Sequence, residues 1–171
     1  MSFLKKLLGQ KEERVVKTEE ILVAPISGKV ISLEEVPDPV FSEKMMGDGV
    51  AIEPTEGTVV SPVNGEIIQF SPTKHAIGIR SETGVEILIH VGLETVGMKG
   101  EGFEGLVKVG DKVTAGTRLL SFDVDLIKEK AQSIVTPLII TNGDILETLS
   151  KHDVKVTYKG ATALMDWKVK G

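Results

Sequence analysis

From Ile21 onward the chain runs in short aliphatic stretches, each closed within a few residues by glycine or proline. Such stretches suit strands joined by tight turns, whereas helices need longer uninterrupted amphipathic periods. Two of the stretches repeat. VAPISGKVISL (Val23 to Leu33) and VSPVNGEIIQF (Val60 to Phe70) carry Val, Pro, an aliphatic residue, Gly and two further aliphatics at matching offsets. Two copies of one strand–turn–strand unit predict an all-β fold: a single-domain antiparallel β-sandwich built from two related halves, with one or two short helices.

Two further pieces fit that frame. LVKVGDKVTAGTRLLSFD (Leu106 to Asp123) alternates on both sides of Gly110-Asp111 and predicts a third hairpin. DVDLIKEKAQSI (Asp123 to Ile134) is the one convincing helix: Ile127, Ala131 and Ile134 form an apolar stripe, and Asp123 or Asp125 is placed to cap it. The expected organisation is a flexible tail over residues 1–20 and one domain over residues 21–171. Within the tail, MSFLKKLLG sets Phe3, Leu4, Leu7 and Leu8 on one helical face beside Lys5 and Lys6, a pattern that suits peripheral contact of residues 1–9 with an anionic membrane.

Composition narrows the chemistry. A chain of 171 residues with net charge −5 lacks the clustered cations that phosphate backbones require, so nucleic acid is not expected as a partner. There is no cysteine, which excludes a disulfide scaffold, a thiolate nucleophile and Cys-ligated zinc. No signal peptide is recognisable, and no run approaches the roughly 20 apolar residues that cross a bilayer. The expected location is cytoplasmic.

Of three histidines, His90 stands in the aliphatic run VEILIHVG. Alternation puts Val85, Ile87, Ile89 and Val91 on a core face, and Glu86, Leu88 and His90 on the other. HAIGIR (His75 to Arg80) and VEILIH (Val85 to His90) flank the turn-rich SETG. If Arg80 pairs with Val85, His75 falls opposite His90, with Cβ atoms about 4.5–5.5 Å apart; a one-residue slip would separate them. Two facing imidazoles admit three readings. They are a satisfied pair near a strand end; two ligands of a zinc site completed by carboxylates, without HExxH or HxH and with His152 distant; or a neutral nucleophile whose neighbour steadies a phosphoryl group.

GVEILIHVGLETV (Gly84 to Val96) resembles the signature of the glucose-class enzyme IIA components of the bacterial phosphoenolpyruvate:sugar phosphotransferase system. That signature runs Gly, two variable positions, three aliphatics, the phosphorylated His, an aliphatic, Gly, an aliphatic, a variable position, Thr and a small residue. VPDPVFSEKMMGDGVAIEP, SPTKHAIGI, MKGEGFEGLVKVGDKVTAGTRLLSFD and TPLIITNGD also resemble the family's blocks. The resemblance implies the duplicated hybrid motif as fold. It implies that His90 takes phosphate from the carrier HPr and passes it to a cysteine of the sugar-specific IIB domain of a IICB permease. His75 would stabilise the transferring group, Thr73 would orient His75, and the Gly92 backbone would fix the His90 tautomer. No cofactor is then required, although zinc held by His75 and His90 in a complex with a regulatory target protein is a subsidiary expectation.

Val40, Phe41, Met45 and Met46 lie in a Gly/Pro-bounded loop and are expected to form the partner face, with Asp38 and Glu94 as an acidic rim facing basic HPr. Other signals are weaker. GEGFEG (Gly100 to Gly105) matches a dinucleotide fingerprint but leads into a strand pattern. GMKG around Lys99 superficially resembles a biotin-carrier hairpin, without the second methionine. A zinc-dependent hydrolase on a similar sandwich is the main alternative from another class.

Overall fold

β-Branched and leucine-rich segments become strands wherever a turn residue lets the chain reverse, and among the described residues they form fourteen strands. The computed structural model describes residues 17–171. In chain order the strands are β1 (Glu19–Val23), β2 (Gly28–Ser32), β3 (Asp48–Pro54), β4 (Thr58–Val60), β5 (Gly65–Phe70), β6 (Ala76–Ser81) and β7 (Glu86–His90). They continue with β8 (Phe103–Gly105), β9 (Lys112–Val113), β10 (Arg118–Phe122), β11 (Thr136–Ile140), β12 (Leu146–Lys151), β13 (Val156–Thr157) and β14 (Ala163–Val169). Two short helices are α1 (Pro39–Ser42) and α2 (Val124–Lys130). β1 begins two residues before the boundary expected at Ile21, and residues 1–9, with the predicted membrane-contact helix, lie outside the described residues.

The strands make one antiparallel sheet in the order β13-β2-β3-β11-β7-β6-β5-β9 and two three-stranded sheets, β1-β14-β12 and β4-β10-β8. Ile52, Ile77, Ile79, Ile87, Ile89 and Leu138 of the large sheet pack against Leu22, Met165 and Trp167 of one small sheet and Leu120 and Phe122 of the other. This is the expected β-sandwich. Among the described residues no helix is long and apolar enough to cross a membrane.

The repeat has a direct structural meaning. Val23 N–H donates to Pro62 O (3.0 Å) while Val60 N–H donates to Pro25 O (2.8 Å), so the two copies cross-brace each other. Gly28 and Gly65 each open a strand, and a Cβ on either would run into the carbonyl oxygen of Glu53 or Arg80. A pseudo-dyad passes through the Leu138↔Ile89 pair at the centre of the sheet, relating β2-β3-β11 to β5-β6-β7.

Two sequence expectations are corrected. Leu106 to Asp123 is not a hairpin about Gly110-Asp111: Lys112–Val113 pairs with β5, and β10 pairs instead with β8 and β4. The Asp111 carboxylate accepts from Lys108 N, and Ile67 N–H donates to Asp111 O, so the turn docks onto the neighbouring repeat instead of folding back on its own strand. α2 ends at Lys130, short of Ile134, because Ala131 is extended (φ −100°, ψ 166°). Its N-cap is Asp123, whose carboxylate accepts from Leu126 N.

Candidate active site

β7 delivers His90 to the outer face of the large sheet, as alternation requires. Val85, Ile87, Ile89 and Val91 are buried on the inner side, and Leu88 and Ala76 join a second apolar cluster with Leu33, Val36, Phe41, Leu93 and Ile139 on the outer side. His90 stands half-buried at the edge of that cluster.

The route that brings His75 to it differs from the expected register. Arg80 pairs with Glu86, so Ala76 and not His75 lies opposite His90. The turn is one residue longer than assumed because Ser81 N–H bonds Val85 O and Gly84 N–H bonds Ser81 O. The slip does not separate the histidines. His75 lies just outside β6, in a turn where Ser71 N–H donates to Ala76 O and Lys74 takes the left-handed φ of 65°. Strict alternation ends with the strand, and the His75 and His90 rings meet edge-on, 5.0 Å between centroids at 80°.

Each ring is held by its Nδ1. His90 Nδ1 lies 2.8 Å from Gly92 O. A carbonyl only accepts, so this bond places the proton on Nδ1 and leaves the Nε2 lone pair free. His75 Nδ1 lies 2.6 Å from Thr73 Oγ1 and 3.4 Å from Ser71 Oγ. Gly92 is required at its position. Its φ is +74°, and a Cβ would sit 2.6 Å from Thr95 Cγ2 and 2.8 Å from Ser133 O.

Both imidazoles are biased toward the neutral form. Burial, with a smaller contribution from the charge of His90, pushes His75 down to about 4. Burial also lowers His90, opposed by its bond to Gly92 O and by the Asp38 carboxylate. Both rings therefore favour the neutral form at neutral pH, which leaves an unprotonated Nε2 on His90.

The expected partner face divides. Val40 (38% exposed), Met45 (69%) and Met46 (41%) are on the surface, whereas Phe41 is buried, 4% exposed. Its ring lies 5.2 Å from His90, so it forms the floor of the site and not an outward contact. Asp38 caps α1 by accepting from Val40 N at 3.0 Å, and its charge acts on His90. Glu94 is exposed in a left-handed conformation, φ 61°. Val96, 58% exposed two residues beyond Glu94, is an apolar surface residue that strand patterning passed over because it lies in a 3-10 turn. Among the described residues no group of three or more His, Asp or Glu side chains could hold a metal ion. His75 and His90 offer two ligands, fewer than zinc needs.

A β-sandwich of duplicated halves presents a neutral, tautomer-locked histidine beside a second one, an arrangement that can take up and release a small electrophilic group. The family model for the phosphoenolpyruvate-dependent sugar phosphotransferase system, EIIA 1, matches residues 20–146, and the chain belongs to that family. It is 52% identical to the PTS system glucose-specific EIIA component of Halalkalibacterium halodurans over 98% of this chain and 99% of that protein. It is 62% identical to the component of the same name from Bacillus anthracis, over 86% of this chain and 89% of that protein. Among solved structures, the glucose permease IIA from Mycoplasma capricolum superposes with a TM-score of 0.78 at 38% identity, covering 88% of this chain and 96% of that one. The chain is thus an EIIA component of the sugar phosphotransferase system, a phosphoryl carrier.

Proposed function

We propose that His90 is the phosphoryl acceptor and that the chain serves uptake of glucose-type sugars in the cytoplasm. The observation that carries this reading is the 2.8 Å contact of His90 Nδ1 with Gly92 O, which leaves Nε2 unprotonated. Nε2 attacks the phosphorus of phospho-HPr; the bond joining phosphorus to the carrier breaks, and its electron pair stays with the carrier. In the second step a cysteine thiolate of the IIB domain attacks, and the phosphorus–Nε2 bond breaks with its electrons returning to His90. No oxidant or nucleotide is consumed, so catalysis is positioning and charge stabilisation.

His75 has a complementary part. A hydroxyl can donate, so Thr73 Oγ1–H to His75 Nδ1 leaves the proton on His75 Nε2, where it can bond a phosphoryl oxygen on His90. The exposed Val40, Met45 and Met46 with Asp38 and Glu94 suit a face shared by HPr, the IIB domain and regulatory targets. In a regulatory complex the two imidazoles would hold zinc only if the target supplied the remaining ligands.

The test is phosphorylation by enzyme I, HPr and phosphoenolpyruvate, read by intact mass under non-acidic conditions. We expect one acid-labile phosphate on the native protein, none on His90→Ala, and one on His75→Gln that is not passed to IIB. An unphosphorylated native protein beside an active HPr donor would overturn the reading.

A further inference from the structure

We propose that Thr95 is the positioning residue that sets the His90 tautomer. The inference rests on His90 being the acceptor and extends it to a side chain that touches neither the phosphoryl group nor the ring.

His90 Nε2 is nucleophilic only while Gly92 O faces Nδ1, and Gly92 is the residue of the turn with the most freedom to rotate. The peptide units on its two sides are both pinned. On the N-terminal side, Thr95 Oγ1–H donates to Val91 O at 2.7 Å, while Val91 N–H donates to His75 O at 2.7 Å. On the C-terminal side, Leu93 N–H donates to Ser133 O at 2.8 Å. The peptide unit that carries Gly92 O therefore has its N–H fixed by a neighbouring loop, and the unit before it has its C=O fixed by Thr95. The Thr95 side chain is fully buried, so water does not replace its hydroxyl. Its methyl occupies the space a Cβ on Gly92 would need, which ties the same side chain to the local backbone twice. Glu94 adopts φ 61°, ψ 22°, and this left-handed step returns the chain so that Thr95 reaches Val91.

The experiment compares the native protein with Thr95→Val, which keeps the branched shape and deletes the donor, and Thr95→Ser, which keeps the donor and deletes the methyl. The first readout is the ¹⁵N spectrum of the His90 ring in the unphosphorylated protein, which distinguishes Nδ1–H from Nε2–H. We expect a single Nδ1–H tautomer in the native protein and Thr95→Ser, and a mixture in Thr95→Val. The second readout is the rate of phosphoryl uptake from HPr, expected to fall about tenfold in Thr95→Val, the scale of one lost buried hydrogen bond, and to recover in Thr95→Ser. If Thr95→Val does not fold, Thr95→Ala removes the hydroxyl without steric conflict and carries the same test. An unmixed Nδ1–H tautomer in a folded variant lacking the hydroxyl, whatever its rate, overturns the proposal. The tautomer is read without phosphate, so this failure is distinct from failure of His90 to accept phosphate at all.

Discussion

The hairpins β2–β3 and β5–β6 share one backbone plan and differ in their chemistry. Gly28 pairs with Pro54 in the first and Gly65 with Ser81 in the second, so stepping back equally along β3 and the chain leading into β6 matches Asp48 with His75. Across the pseudo-dyad, His90 corresponds to Ile139, which is fully buried. Asp48 serves an ion cluster, 2.6 Å from Lys151 Nζ and 3.4 Å from Lys44 Nζ, with its carboxylate also accepting from Gly49 N. His75 meets the hydroxyls of Thr73 and Ser71 and a second imidazole. The connections diverge too. Residues 33–47 join β2 to β3 and lay Leu33, Val36 and Phe41 over the outer face of the sheet, while residues 71–75 join β5 to β6 and contain only the turn with Thr73. The fold supplies two equivalent frames; one long loop and two histidines make one of them a site.

The sharpest way to break this asymmetry is to remove what the long loop contributes. Phe41→Ala is expected to cost about 3 kcal/mol of folding stability, because a buried ring is replaced by a cavity. It should also let water reach His90 and raise its titration midpoint toward the ordinary histidine value, since burial is the main cause of the depression. Chemical denaturation measures the first effect and an NMR titration the second. A stability loss with His90 titrating unchanged would show that Phe41 only packs the loop.

The next effect in size concerns acid. The folded midpoint of His75 lies near 4, below the ordinary 6.5, so between those values the unfolded chain binds the extra proton. Stability is therefore fully present above about pH 6.5 and falls as the pH drops toward 4, by on the order of 2 kcal/mol from His75 alone. Denaturation midpoints across that window should fall steeply for the native protein and less steeply for His75→Gln. Parallel curves would mean that His75 is not buried in the neutral form.

Much of this was legible in the sequence, for reasons that can be named. The repeat, the outward direction of His90 and a helix cap at Asp123 or Asp125 are local matters of period and residue type, and each has its structural counterpart, the cap at Asp123. The His75–His90 meeting was reached through a register that is off by one. Turn length decides register, and SETG alone did not show that Val85 belongs to the turn. The burial of Phe41 was hidden because a Gly/Pro-bounded apolar loop can turn its residues either way. Asp38-Pro39 is the local signal that bears on it: an N-cap followed by a proline at the first helical position, and α1 is what rolls Phe41 inward. The Gly110-Asp111 turn does not close a hairpin because the strand that follows it pairs with β5, far earlier in the chain, a long-range choice that alternation does not encode.

A smaller effect separates the two tasks of Asp38. Asp38→Asn keeps an oxygen for Val40 N and deletes the charge that favours protonated His90. The His90 midpoint should move further down, while stability stays close to native. Asp38→Ala removes the cap as well and should cost about 1 kcal/mol. If the two substitutions move the His90 midpoint by different amounts, the cap and not the charge controls the site.

The smallest effect is expected at the positional twin of His75. Asp48→Asn breaks a partly exposed cluster whose lysines remain solvated, so the cost should be about 0.5 kcal/mol and should shrink further in high salt. Phosphoryl uptake should be unaffected, because Asp48 contacts neither imidazole and the pseudo-dyad puts it at the opposite pole of the sheet. A slowed transfer in Asp48→Asn would mean that the ion cluster acts through the loop it clamps: Lys44 bridges Glu34 and Asp48, and both ends of residues 33–47 hang on that bridge. In that outcome the two hairpins are not one active and one inert copy. The β2–β3 copy would hold the cover that the β5–β6 copy needs, and the salt dependence of transfer would follow that of the Lys44 ion pairs.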